Sequence, residues 1–373
     1  MKIYYDENMP FAEEFFSELG ELTPFNGRSL TSEQASAADV LLVRSITKVN
    51  EVLLATNEKL SFVGTATIGV DHIDQDYLAT HNIPFYSAPG CNAVSVAEYV
   101  VSALVVLAER YLLNLSDLTV GIIGAGNTGT RLSEKLDALG IKYLINDPLL
   151  EQTESDNRDF SSLEEVLACD VVSLHVPITK EGDYPTFNLL NEKRLNNLKP
   201  EQILINACRG EVIDNDALLA MKKRGHALKV VLDVWENEPN ILHELISHVE
   251  IATAHIAGYS LEGKARGTEM LYQALCTQLN ISPKYQLESF LPKANIDYVE
   301  IKQDFDEIVL KPLVKMVYDV RRDDGIFRQQ IFSQGFDTIR KTYPARREFS
   351  SVTVSLANSA QKGVPHQLGF NHQ

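Results

Sequence analysis

Short runs that are apolar at every position recur along the chain, separated by polar, helix-like stretches. The clearest are Val40–Val43, Phe62–Gly64, Val120–Ile123, Tyr143–Ile145, Val171–Leu174, Ile203–Ile205, Val230–Leu232 and Ile251–Ala252. A strand with water on one face alternates apolar and polar side chains, so unbroken runs predict strands buried on both faces. Alternation of such strands with helices predicts right-handed βαβ units and parallel sheets. Some runs precede residue 90 and the rest follow Val120, which predicts two sheets. The longest apolar stretch, Val94–Leu113, contains Glu98, Glu109 and Arg110. It predicts a buried helix, because a membrane span needs roughly 18 uncharged apolar residues. Pro89-Gly90-Cys91-Asn92 marks the break before it. A second helix-like stretch, Leu261–Leu279, follows the last run and could return the chain to the first domain, leaving that domain discontinuous. After Pro283 charge becomes dense, as in Tyr318–Asp324, and the remainder reads as a separate small domain. Its tail, from Ser359, carries little pattern.

Composition narrows the function more than the fold. At 373 residues the chain exceeds one ordinary core. A net charge of −17 argues against a nucleic-acid or anionic-membrane partner, since both repel it. An anionic substrate would then need its own local cluster of donors. The opening Met1–Glu7 ends in an acidic pair where a secretory leader would be apolar, so a cytoplasmic protein is expected. Cys91, Cys169, Cys208 and Cys276 lie far apart with no CxxC pair; reduced thiols are expected, and no metal site.

Gly124-Ala125-Gly126-Asn127-Thr128-Gly129 is a GxGxxG motif, which alone is weak. Here it follows the run Val120–Ile123, opens a helix-like stretch, and is followed by a second run ending at Asp147. In that order the parts suit a dinucleotide: Gly124 for the turn, Gly126 for approach to a pyrophosphate, Gly129 for helix–strand packing. The helix N-terminus would face the phosphates, and Asp147 would bind ribose hydroxyls and repel a 2′-phosphate, favouring NAD. The plainer reading of Asp147-Pro148 is that it starts a turn.

Three further segments sit at predicted strand ends, where open α/β sheets place ligands. Asn206–Gly210 carries Arg209, Asp233–Pro239 carries Asp233, Glu236 and Glu238, and Thr253–Tyr259 carries His255. Oxidation of a 2-hydroxy acid removes the hydroxyl proton as hydride leaves C2. His255 suits the base, because imidazole titrates near neutral pH. Arg209 would grip the substrate carboxylate in a bidentate fork. A glutamate would orient the imidazole, and spacing alone does not rank Glu236 against Glu238. Singly, each residue is more simply a turn or core residue; the catalytic reading rests on their combination.

These segments, with Pro89–Ala93 and Val96-Ala97-Glu98, resemble the NAD-dependent D-2-hydroxyacid dehydrogenase family. The resemblance implies an α/β protein. Its parts are a Rossmann-type doubly wound parallel sheet domain (93–258), a discontinuous flavodoxin-like substrate domain (1–92 and 259–285) and a small α+β C-terminal dimerisation domain (286–373). It implies the catalytic trio Arg209, Glu238 and His255; the family's glutamate directly precedes the proline, which ranks Glu238 first. Asp6–Pro10, Val43–Asn50, Gly64–His72, His255–Gly267 and Val317–Asp324 are similar to a branch acting on a small phosphorylated 2-hydroxy acid of four carbons. That likeness implies substrate contacts at Ser45, Thr67 and Tyr259. It implies cofactor contacts at Asn127, Thr128, Asp147, Val176, Ala207, Asp233 and Gly258 beside Gly124, Gly126 and Gly129. The expected partners are the phosphorylated acid and a second copy of the chain. Arg44 and Lys48 would supply local positive charge, and the pair Arg346-Arg347 prompts the expectation that one reaches the partner subunit's site. Alternatives are a 3-phosphoglycerate- or hydroxypyruvate-type member of the family, or an NAD(H)-sensing corepressor-like protein. The last would carry an extended disordered tail, and no long Pro/Ser-rich segment is present.

Overall fold

In the computed structural model, residues 1–153, 155–357 and 363–372 are described, and the chain divides into two compact units. One comprises Met1–Asn92 with Ser260–Lys293, the other Ala93–Tyr259 with Ala294–Gln373. Parts of the expected C-terminal domain, residues 358–362 and 373, lie outside the described residues.

The first unit is built on five parallel strands: β1 (Lys2–Asp6), β2 (Glu21–Phe25), β3 (Val40–Val43), β4 (Phe62–Thr65) and β5 (Phe85–Tyr86). Their order, β2-β1-β3-β4-β5, is the flavodoxin-like one, and it reverses direction between β1 and β3. Every residue of β3 and β4 is buried, which is why both read as continuous apolar runs. The helix Leu261–Gln278 returns to this unit and packs Ala265, Leu271 and Leu275 into a core with Phe15, Phe16 and Phe62. A Cβ on Gly64 would stand 3.0 Å from the Leu271 side chain, so glycine lets that helix lie close on β4.

The second unit holds six parallel strands: β6 (Thr119–Ile123), β7 (Lys142–Asn146), β8 (Val171–Leu174), β9 (Ile203–Asn206), β10 (Lys229–Leu232) and β11 (Ile251–Ala252). The order is β11-β10-β9-β8-β6-β7, so the chain leaves β6 first to one side and then returns to the other. The switch point therefore lies at the carboxyl end of β6, the place where open α/β sheets bind ligands. The helix Ala93–Tyr111 is buried without a gap from Ser95 to Ala108. A helix apolar on all sides must be covered on all sides. The sheet covers one side. The C-terminal segment covers another, with a second parallel pair, β12 (Tyr298–Ile301) and β13 (Thr353–Leu356), and the helices Glu307–Val317 and Val320–Gln334.

This arrangement differs from the separate small domain that the charge pattern suggests. Leu310, Val314, Val320, Phe349 and Phe370 join one core with Val100, Leu104, Val120 and Ile122. A two-stranded sheet is too small to enclose a core of its own, and the helix Ala93–Tyr111 would otherwise expose its outer face. Described residues of the low-pattern tail are held firmly. Leu368 and Phe370 are buried, Phe370 stacks on Phe349 with centroids 4.7 Å apart, and Lys135 Nζ donates to the Leu368 carbonyl at 2.6 Å. Lys135 also pairs at 3.3 Å with the buried Glu98, whose carboxylate accepts the Phe349 N–H. The helix Val320–Gln334 protects the outer strand of the sheet. Asp324 accepts the Ala252 N–H at 2.7 Å, and Arg328 donates to the carbonyls of Ile246 and Val249 at 2.6 and 2.8 Å. Among the described residues, no helix is long and apolar enough to cross a membrane.

Candidate active site

The glycine turn follows β6 directly. Gly124 has φ 93°, and a Cβ there would meet the His175 carbonyl at 2.6 Å. A Cβ on Gly129 would lie 2.1 Å from the Gly124 carbonyl. Packing alone demands glycine at both. Gly126 is different: nothing lies within 4 Å of where its Cβ would be, and it caps the helix Asn127–Leu139. That open space stands before a helix first turn, whose N–H groups have no partner within the helix and favour an anion. Asn127 is exposed and Thr128 half-buried beside it, and Val176 lines the Gly124 turn. The Asp147 carboxylate accepts from Ala125 N–H at 2.9 Å and from Leu150 N–H at 3.1 Å. It therefore fastens the glycine turn and caps the turn Pro148–Glu151 together, which is the plainer turn role. Arg158 holds the other side, donating to the Ala125 carbonyl at 2.9 Å and to Thr130 Oγ1 at 3.0 Å. No sequence motif marks Arg158. Open space at Gly126, a helix N-terminus and a carboxylate after β7 fit a dinucleotide.

His175, after β8, shows how tightly this turn is packed. Burial pushes its imidazole down to about 4; Nε2 bonds Ser173 Oγ at 2.8 Å, and Nδ1 is buried without a partner. A histidine depressed in the fold leaves the unfolded chain as the better proton binder between pH 6.5 and 4, so the stability present above pH 6.5 is lost as pH falls. Up to about 3 kcal/mol is at stake over that window. Urea melts of wild type and His175→Gln at pH 7 and pH 5 are expected to show a smaller acid loss in the variant. Equal losses would remove His175 from the account.

Three strand ends carry the expected catalytic residues. After β9, the Asn206 side chain folds the loop back on itself, donating to the Arg209 carbonyl at 2.9 Å and accepting the Cys208 N–H at 3.1 Å. Ala207 is half-buried there, and burial pushes the Cys208 thiol up to about 11, which disfavours the thiolate. Arg209 Nη1 donates to the Cys208 carbonyl at 2.8 Å. After β10, Asp233 is 1% exposed. Its carboxylate accepts from Thr253 Oγ1 at 2.6 Å and from the N–H groups of Ile256 and Ala257 at 2.8 Å each. Its carbonyl accepts the His255 N–H at 2.6 Å. The sequence assigns Asp233 to the cofactor; the structure shows both carboxylate oxygens serving the loop that presents His255, itself held at φ 56°. Burial raises the Asp233 carboxyl, against the pull of His255 and those hydrogen bonds.

Glu238 reaches His255. Its Oε2 lies 2.7 Å from His255 Nδ1, and its Oε1 accepts the Trp235 N–H at 2.9 Å. Glu236 turns away, exchanging hydrogen bonds with Asn215 at 3.0 and 3.3 Å. Geometry thus separates two glutamates that spacing does not. Burial pushes the Glu238 carboxyl up, but His255, the Trp235 N–H and the Arg340 charge outweigh it, and the net shift is downward. Glu238 is held as an anion against Nδ1, which leaves Nε2 as the imidazole's outward nitrogen. A Cβ on Gly210 would fall 1.9 Å from the Trp235 carbonyl carbon, so the Arg209 loop rests directly on the backbone leading to Glu238.

Beyond His255, Gly258 is half-buried, and Tyr259 anchors its N–H on the Ile256 carbonyl at 2.8 Å. The Tyr259 ring meets Tyr343 edge-on at 5.9 Å, and its hydroxyl accepts from Arg340 Nη2 at 3.0 Å. Arg346, the first of the adjacent arginine pair, is enclosed. It is 2% exposed, lies 3.9 Å over the Tyr318 ring, and donates to Ser95 and to the Ala257 carbonyl inside its own subunit. A guanidinium so enclosed is engaged within its own subunit, and Arg347 beside it is half-buried. In the first unit, Ser45 is exposed just after β3, and the preceding Arg44 donates to the Asn8 carbonyl at 2.7 Å. Thr67, just after β4, donates to the Gly69 carbonyl at 3.0 Å and meets Thr65 Oγ1 at 2.7 Å.

The family described as D-isomer specific 2-hydroxyacid dehydrogenase, NAD binding domain, matches residues 101–257, and a domain of unknown function matches residues 290–369. The D-lactate dehydrogenase of Aquifex aeolicus, solved with NAD and lactic acid, is 26% identical with a TM-score of 0.59, covering 74% of this chain and 95% of that one. The parallel sheets, the glycine turn and the His255–Glu238 pair define an NAD-dependent dehydrogenase of the 2-hydroxyacid class. An erythronate-4-phosphate dehydrogenase of Colwellia psychrerythraea is 65% identical over 100% of both chains. One from Tolumonas auensis is 54% identical over 100% of this chain and 99% of its own. The chain belongs to the erythronate-4-phosphate dehydrogenase family.

Proposed function

We propose that the chain oxidises 4-phospho-D-erythronate to (R)-3-hydroxy-2-oxo-4-phosphooxybutanoate with NAD, a step towards pyridoxal 5′-phosphate, as a cytoplasmic homodimer. The observation that carries this reading is full-length identity of 65% to a relative of that name. His255 Nε2 takes the C2 hydroxyl proton, and Glu238, 2.7 Å from Nδ1, stabilises the imidazolium that forms. Arg209 grips the substrate carboxylate and polarises the C2 oxygen as it becomes a carbonyl. NAD supplies the acceptor for the hydride leaving C2. It is held by the Gly124–Gly129 turn and the Asn127 and Thr128 first turn, with Asp147, Val176, Ala207, Asp233 and Gly258. Ser45, Thr67 and Tyr259 contact the substrate, local donors that an anion needs on a chain of charge −17. The C-terminal segment carries the dimer contact.

Purified protein is expected to form NADH with 4-phospho-D-erythronate at a kcat/KM well above that for 3-phosphoglycerate or D-glycerate. Activity confined to a control acid would keep the chemistry and reassign the substrate. Tight NADH binding with no turnover of any acid would point instead to a nucleotide-sensing protein.

A further inference from the structure

Arg340 lies on the short helix Phe336–Lys341, in the segment matched by the domain of unknown function, and no motif singles it out. Its Nη2 donates to the Tyr259 hydroxyl at 3.0 Å, and its guanidinium lies 5.6 Å from the Tyr259 ring centre and 6.0 Å from that of Phe336. Its Nε is buried without an acceptor. An unpaired buried donor on a cation is costly, and apolar packing of the helix would have avoided it. Burial disfavours the charge on Arg340, but Tyr259, Glu238 and Asp233 outweigh burial and hold it as a cation. The same positive charge helps to keep Glu238 ionised.

The direction of the hydrogen bond matters. A guanidinium has donors and no acceptor, so the Tyr259 oxygen must accept in this contact, and in any further bond Tyr259 can offer its own proton. A cation behind a hydroxyl makes it a stronger donor, because hydrogen bonds in a chain polarise one another. Such a hydroxyl suits a ligand group that only accepts, such as a carboxylate or phosphate oxygen. We propose that Arg340 is a positioning residue, supplied by the C-terminal segment, that sets Tyr259 as a proton donor to an anionic oxygen of the substrate. The inference rests on Tyr259 as a substrate contact. It gives the C-terminal segment a role in recognition besides association of subunits.

Steady-state kinetics of Arg340→Met, Tyr259→Phe and the double variant test it, with 4-phospho-D-erythronate and NAD. Arg340→Met should raise KM for the acid about 10- to 100-fold, the scale of a charge-assisted hydrogen bond, with KM for NAD and the melting temperature close to wild type. The double variant should fall no further than the weaker single one, because both break the same relay. Arg340→Gln, which keeps an N–H donor but not the charge, should fall between wild type and Arg340→Met. It decides the matter if Arg340→Met does not fold. An active wild type with KM within twofold in Arg340→Met or Arg340→Gln, or losses that multiply in the double variant, would overturn the inference alone. A wild type inactive on the acid would overturn the proposed function, and this inference with it.

Discussion

Replacing His255 with asparagine should lower kcat about 10²- to 10⁴-fold while the Kd for NADH stays within about twofold. Asparagine keeps a polar side chain of similar reach and, among non-glycine residues, tolerates the left-handed φ of 56° at this position well. The backbone anchors survive too, because Asp233 holds the loop through main-chain N–H groups of residues 255 to 257 and through Thr253. What disappears is the proposed proton acceptor at Nε2. Glu238→Gln should be nearly as severe, because a glutamine amide facing Nδ1 at 2.7 Å can present a donor where an acceptor is needed. That favours the wrong imidazole tautomer. The two losses should not multiply, since they act on one proton transfer. An unimpaired kcat in His255→Asn, or a loss expressed wholly as weaker NADH binding, would remove His255 from the chemistry.

The sequence made the central strands legible and the reach of the C-terminal segment illegible, for physical reasons. Val40–Val43, Val171–Leu174 and Ile203–Ile205 sit inside sheets with both faces covered, so burial alone shapes their composition. β1, β2, β5, β12 and β13 carry no such signature. β2 is an outer strand that tolerates Pro24, β5 has two residues, and β12 and β13 form a separate two-stranded sheet. The glycine turn was readable because Gly124 and Gly129 are steric requirements at fixed spacing. Spacing did not rank Glu238 against Glu236; the resemblance put Glu238 first, and the structure adds that Glu236 is engaged by Asn215. Arg158, Thr253 and Arg340 act through tertiary contacts distant in sequence, and nothing local distinguishes them from other polar residues. The dense charge after Pro283 suggested a separate small domain. Part of it is buried instead: Asp323 accepts from the hydroxyls of Tyr318 and Tyr343 at 2.8 and 2.7 Å.

Gly210→Ala should lower kcat/KM by about 10²-fold or more and destabilise the fold by about 1–3 kcal/mol. The new methyl would sit 1.9 Å from the Trp235 carbonyl carbon, 2.0 Å from its oxygen and 2.5 Å from the Glu236 nitrogen. Contacts between carbon atoms settle near 3.5–4.0 Å, so one of two backbones must retreat by more than about 1 Å. Neither is loose. The Arg209 loop is tied by Asn206. Trp235 is tied at its N–H by Glu238, at its indole N–H by the Thr253 carbonyl at 2.8 Å, and by stacking on Phe327 at 5.6 Å. Retreat on either side separates Arg209 from Glu238, the residues proposed to grip the carboxylate and to orient the base, and a misplacement of about 1 Å can cost about 10²-fold. NADH affinity should fall far less than kcat/KM, because the Gly124–Gly129 turn takes no part in that contact. Gly325→Ala is the matched control: it lies within the helix Val320–Gln334, nothing stands within 4 Å of its Cβ position, and alanine there should be neutral or stabilising. A Gly210→Ala enzyme with wild-type kcat/KM and melting temperature would show that the two loops slide freely. The trio would then owe its alignment to something other than this backbone contact.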